Sequence, residues 1–182
     1  MKKTIQTCLL ATSLLFCVSL TATHAQTTPA AYHQKDVIGE NPTADQDIQT
    51  VSDFLNALAS GDLTKVKSLL ADKYKGTGPG PLDSANAEQM IQQWQENYKT
   101  QLDRKITFVT ESFRVLTGDL QGNWVSVWGD YSCTIDGTNI KFPFQYTALV
   151  ANGKISLDVT YYDRWYIYQA LGYKVTPPEK SK

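Results

Sequence analysis

The chain has 182 residues, 17 of them basic and 18 acidic, for a formal net charge of −1. That balance gives no electrostatic case for a nucleic-acid or anionic-membrane partner. Beyond residue 25 only one cysteine, Cys133, and one histidine, His33, remain, which excludes an internal disulfide and argues against a histidine base or a multi-histidine metal site.

The first residues, Met1-Lys2-Lys3, lead into an apolar run from Cys8 to Leu20 and then to Thr23-His24-Ala25. A charged start, an apolar middle and a small-residue cleavage site form a secretory signal, with cleavage expected after Ala25. The apolar run is too short for a comfortable membrane span. Cys17 follows Phe16 rather than a small residue, which disfavours a lipid anchor. The expected product is secreted or periplasmic, with no membrane attachment after cleavage. Loss of Lys2 and Lys3 leaves 15 basic against 18 acidic residues, a net charge of −3.

Residues 26–42 carry little periodicity and read as a flexible leader. A single domain is expected over residues 43–175, with a disordered tail over 176–182. Ile48, Val51, Leu55 and Leu58 recur at helical spacing, and Gly61 ends that helix. Asp62 then caps a second helix with Leu63, Val66, Leu69 and Leu70 on its buried side. The stretch from Tyr74 to Ser84 holds three glycines and two prolines and reads as an irregular passage. Asp83 or Ser84 is expected to start a third helix, whose apolar side is Met90, Ile91, Trp94 and Tyr98.

After Arg104 the period changes from 3.6 to 2. Strands are expected at about 105–117, 122–135, 139–151 and 154–162, and Asp136-Gly137 and Asn152-Gly153 are hairpin signals. Past Tyr162 a short helix is expected from Arg164, ended by Gly172. Helices followed by an antiparallel meander make an α+β pattern in which helices cover one sheet face.

With the elements in this order, "FLNALASGDLTKVKSLLADKY" (residues 54–74) resembles the first helices of the nuclear transport factor 2-like superfamily, which includes the SnoaL-like proteins. "NGKISLDVTYYDRW" resembles the family's last strand. The resemblance implies a cone-shaped, curved antiparallel sheet wrapped around three N-terminal helices, with a short C-terminal helix, an internal pocket and a homodimer. Within that family, ketosteroid isomerase uses a tyrosine and a carboxylate base, and the matching positions here hold Phe54 and Gly78, which can do neither task. Limonene epoxide hydrolase uses two acids bridged by an arginine. Placing Asp163 on its final acid puts Asp130 near the other and Trp128 at the arginine position, while its water-positioning pair falls near Lys75 and Thr77.

Asp163 and Asp130 are therefore the candidate acid–base residues. Asp163 has a second reading as the cap of the helix that begins at Arg164. Asp130 shares a strand face with Trp124, Ser126 and Trp128, opposite Val125, Val127, Tyr131 and Cys133. The sequence leaves both orientations open: with the tryptophan face concave, Asp130 is a carboxylate against aromatic walls, and with it outside, a second copy of the chain could cover it. The outer orientation is slightly favoured because the valines make the more ordinary core. Phe54, Tyr74, Trp94, Tyr98, Phe144, Tyr146, Tyr161 and Trp165 are the candidate ligand-binding residues, with Phe142 among the aromatics that could line the same cavity. Buried tyrosine hydroxyls need partners, so this many tyrosines suggest a wet or ligand-filled interior. No metal or organic cofactor is implied, since the acids are scattered.

Three functions fit these residues. The first is an exported binding module for a small, partly apolar ligand. The second is a cyclase, dehydratase or hydrolase working through a pocket aspartate. The third is a non-catalytic interaction domain.

Overall fold

The computed structural model describes residues 34–176. The signal segment, His33 and residues 177–182 lie outside the described residues. A short helix α1 (Gln34–Val37) leads into strand β1 (Ile38–Gly39), which pairs with the end of β4 (Leu102–Val115) through Val115 and Arg114. Ordered structure therefore begins ahead of Thr43, inside the segment read as a leader.

Helix α2 (Ala44–Ser60) buries Val51, Leu55 and Leu58 of the expected stripe, with Ile48 only partly buried and Phe54 buried beside them. A buried polar cluster anchors its start to the sheet: Asp47 accepts from Asn41 at 2.8 Å and from Thr43 at 2.7 Å, and Asn41 also donates to Ser112 on β4. Gly61 closes the helix in the left-handed conformation, with φ +90°. Asp62 then caps α3 (Leu63–Leu69) by accepting from the Lys65 amide.

Two expectations fail between residues 70 and 86. Leu70, expected on the second helix, and Tyr74–Thr77, expected in the irregular passage, belong to strand β2 (Leu70–Thr77), parallel to the last strand β7 (Lys154–Tyr162). Ser84 and Ala85 form the short strand β3, paired with β2, and the third long helix α4 (Ala87–Thr100) starts later than expected. Asn86 makes the capping box that fixes this start, accepting from the Gln89 amide while the Gln89 side chain accepts from the Asn86 amide.

Strands β4, β5 (Gly122–Ile135), β6 (Thr138–Ala151) and β7 form the expected antiparallel meander. Asp136-Gly137 and Asn152-Gly153 make its two tight turns, all four residues having positive φ, as a two-residue turn of matching twist requires. A short helix α5 (Arg164–Ala170) follows β7. The seven strands run in the order β1-β4-β5-β6-β7-β2-β3. The α+β class stands, but the cone-shaped antiparallel sheet does not. The sheet is mixed because β2 runs parallel to β7, and it is open, neither closed nor strongly curled, with β1 and β3 as separate edges.

The core lies between α2, α3, α4 and one sheet face, where Val125, Val127, Ile140, Ala148, Val150 and Ile155 are buried. Val125 and Val127 point inward, as expected. On the opposite face Trp128 is 43% exposed, with Val109 beside it on β4 also exposed. Trp124 shares that outer face yet is buried, its indole N–H donating to the Leu120 carbonyl at 2.8 Å.

Candidate functional site

Toward the α4 end of the core the side chains stop short of filling the space, leaving a cavity of about 280 Å³. That is close to the lower end of small-molecule sites, roughly 300–1,000 Å³. Helices α2 and α4 supply Phe54, Leu58, Met90 and Trp94. The sheet supplies Tyr74, Tyr131, Cys133, Phe142, Phe144, Tyr146, Asp158, Thr160 and Tyr162, and α5 supplies Ile167.

Asp158 is the singular residue of this wall. It is 4% exposed, yet it lines the cavity. Tyr74 donates its hydroxyl to Oδ2 at 2.6 Å, and Tyr146 donates to the same oxygen at 3.1 Å. Thr77 ties the Asp158 backbone to β2, its hydroxyl donating to the Asp158 carbonyl at 2.9 Å. Desolvation pushes the Asp158 carboxyl up to about 6, against the opposing pull of the two hydroxyls and the Thr77 backbone. Burial, with the carboxylate second, pushes both tyrosine hydroxyls far above their ordinary range, so they remain donors. Gly76 makes this arrangement possible, because a Cβ there would collide with the Tyr74 hydroxyl and lie 3.3 Å from Asp158 Oδ1.

Two further tyrosine hydroxyls also find partners. Tyr131 donates to the Gln101 side chain at 2.7 Å, and Tyr98 donates to the Leu58 carbonyl at 2.8 Å. A run of rings, Trp94, Tyr131, Phe142 and Tyr162, connects across the cavity with centroid separations of 5.4 to 6.3 Å. At the rim, Arg164 of α5 pairs with Asp83, and this pairing holds the Asp83 carboxyl below its usual range.

Five of the eight expected ligand residues converge here: Phe54, Tyr74, Trp94, Phe144 and Tyr146. Tyr98 lies outside the lining, with the Arg104 guanidinium 4.4 Å above its ring. Tyr161 is 56% exposed and Trp165 42% exposed, both away from the cavity. The two expected acids are not brought together. Asp163 is exposed and caps α5, accepting from the Tyr166 amide at 2.9 Å. Asp130 pairs with Lys141 at 3.0 Å, and both side chains are largely exposed.

Asp158 escaped the sequence reading because of a one-residue irregularity. Val150 pairs with Ile155, but the next pair is Leu149 with Leu157, so Ser156 is an extra residue, a β-bulge. Strict alternation from Ile155 would turn Leu157, Val159 and Tyr161 inward. The bulge turns Asp158, Thr160 and Tyr162 inward instead. A signal was present in the sequence: past Lys154, Asp158 breaks an otherwise apolar or hydroxyl-bearing strand, and an acid there needs a reason.

No family model matches the chain, and no curated protein matches it. Solved structures do. An LEH-like epoxide hydrolase of M. tuberculosis is 18% identical, with a TM-score of 0.56 over 71% of this chain and 92% of that one. A hypothetical protein with a ketosteroid isomerase-like fold from Catenulispora acidiphila, in complex with trimethylamine, is 17% identical, with a TM-score of 0.57 over 71% and 98%. An NTF2-like protein from Burkholderia xenovorans is 19% identical, with a TM-score of 0.53 over 72% and 98%. At these identities the likeness shows the fold alone: this chain has the nuclear transport factor 2-like fold.

Proposed function

We propose that this chain binds a small, partly apolar molecule in the cavity, with Asp158, Tyr74 and Tyr146 receiving its polar end. The observation that carries the reading is a nine-tenths-buried carboxyl, held by two tyrosine hydroxyls, on the wall of an otherwise apolar and aromatic cavity. A core built for packing alone would hold an apolar residue at position 158, because burying a carboxyl costs free energy that two neutral hydrogen bonds offset only in part. N-phenyl-1-naphthylamine, a small apolar reporter, is expected to bind the purified protein saturably, one per chain. The variant Thr160→Phe, which fills the cavity beside Asp158, should lose that binding while staying folded. Wild type that binds no reporter, or a variant that binds it equally well, would remove the support for a ligand site.

A second reading, acid–base catalysis on the bound molecule, is favoured by the position of Asp158, whose proton affinity near 6 suits a group that both takes and gives a proton close to neutral pH. The two readings separate on one variant. Asp158→Asn keeps reporter binding under both, and abolishes turnover only under the second. Export through residues 1–25 belongs to the same proposal, and sequencing the exported chain from its N-terminus is expected to begin at Gln26. A chain that is exported still carrying Met1, or that stays in the cytoplasm, counts against it.

A further inference from the structure

Among the described residues, the cavity wall carries two carboxyl groups and no lysine, arginine or histidine. At the rim Asp83 is matched by Arg164. Asp158, deeper in, has neutral partners alone, the hydroxyls of Tyr74 on β2 and Tyr146 on β6 and the Thr77 backbone. The nearby basic groups are occupied or directed elsewhere. Arg104 donates to the Ala59 and Gln101 carbonyls, and Lys75, between two lining residues of β2, is exposed outside the cavity. A buried carboxylate is ordinarily matched by a cation, and here none of the described residues supplies one.

The aromatic part of the wall adds to the same electrostatic sign. The faces of aromatic rings carry partial negative charge and attract cations, and the chain of rings from Trp94 to Tyr162 runs along this cavity. A carboxylate ligand would meet like charge with no compensating base. A neutral ligand would satisfy the donors and acceptors but leave the charge of Asp158 unmatched.

We infer that the molecule received in this cavity is a small organic monocation, an amine carried on an apolar or aromatic body, with its ammonium group at Asp158. This inference rests on the ligand-site reading above and narrows it. It also makes binding depend on pH, because protonation of Asp158 removes the charge that recognises the cation. The titratable groups facing Asp158 are few. Tyr74, Tyr131 and Tyr146 stay neutral donors, Cys133 is pushed up by burial, and Asp83 is held by Arg164. The lining from α2 and α4 carries no charge.

Three probes of one shape and different charge test the inference: 2-phenylethylammonium, 2-phenylethanol and 3-phenylpropanoate, titrated into the purified protein by calorimetry at pH 7.5 and pH 5. At pH 7.5 the ammonium probe is expected to bind at least about tenfold more tightly than the alcohol, with the carboxylate weakest. At pH 5, below the Asp158 value of about 6, its affinity should fall about tenfold while that of the alcohol holds. Asp158→Asn should erase the preference for the ammonium over the alcohol, and if that variant does not fold, the charge series on wild type decides alone. Equal or tighter binding of the alcohol at pH 7.5 overturns the cation and leaves the ligand site standing. No binding of any of the three probes overturns the cation alone where the naphthylamine reporter still binds, and both readings where it does not.

Discussion

Asp158→Asn is expected to raise the unfolding free energy of the ligand-free protein by about 2–3 kcal/mol at pH 8 and to change it little at pH 4. The reason is linkage. In the folded chain the Asp158 carboxyl holds its proton up to about 6, whereas freed from its desolvated site it would release it near 3.8. Between those values the folded state binds more protons than the unfolded state, so the contribution of Asp158 to stability falls as pH rises. It is fully present below about 3.8 and lost above about 6. That gap corresponds to about 3 kcal/mol, the penalty for carrying a desolvated carboxylate at pH 8. Asparagine keeps the shape and an oxygen to accept from Tyr74 and Tyr146 without the charge. Urea melts of both proteins at both pH values measure the effect. A gain of the same size at pH 4 and pH 8 would trace it to something other than ionisation, and no gain at pH 8 would show that the carboxylate is already compensated.

A residue that weakens the protein at the pH where it is charged is a residue the fold alone does not select. Asp158 thereby separates from the other acids of the chain. Asp62 and Asp163 cap helices by accepting backbone amides, and Asp83 and Asp130 hold basic partners, so each has a local reason for its position. Asp47 has its cluster of Asn41 and Thr43 at the start of α2. Of these only Asp83 and Asp158 line the cavity, and Asp83 is matched at the rim by Arg164, which is why the chemistry of Asp158, rather than that of Asp163, is the one to pursue.

Much of the fold was legible because its signals are local. Helix α2 carries its own apolar stripe and a terminating glycine, and the meander is punctuated by Asp136-Gly137 and Asn152-Gly153, whose backbone preference fixes the turn and with it the register. Strand β2 was hidden because the run of glycines and prolines after Gly76 resembles a loop, and because its pairing with β7 is parallel and distant in sequence, so no turn announces it. The apolar half of the site followed from residue type: Phe54, Tyr74, Trp94, Phe144 and Tyr146 are large, aromatic and inward. The polar half did not follow, because the extra residue Ser156 inverts the facing of everything after it in β7. Tyr161 was read as a wall and lies outside, while its neighbour Tyr162 forms the wall.

Gly129→Ala should be the most damaging single-methyl change in the sheet, lowering stability by about 3 kcal/mol or more, although position 129 lies in a strand and has no positive φ to defend. The cause is space. A Cβ at Gly129 would overlap the carbonyl oxygen of Thr107 on β4 and sit 2.7 Å from the Phe108 Cβ, so the neighbouring backbone itself would have to move. Gly137 provides the contrast, since a Cβ there meets nothing within 4 Å and only its φ of +78° objects, a strain worth about 1–2 kcal/mol. Because Gly129 pairs with Phe108 on β4 and Phe144 on β6, separating the strands at that point also disturbs the cavity, which Tyr131 and Cys133 line just beyond it. Reporter affinity should therefore fall in Gly129→Ala and hold in Gly137→Ala, and amide exchange at Thr107 and Phe108 should accelerate in the first variant alone. Equal losses of stability and affinity in the two would mean that close strand approach is not what Gly129 provides, and that the site does not depend on the sheet at this position.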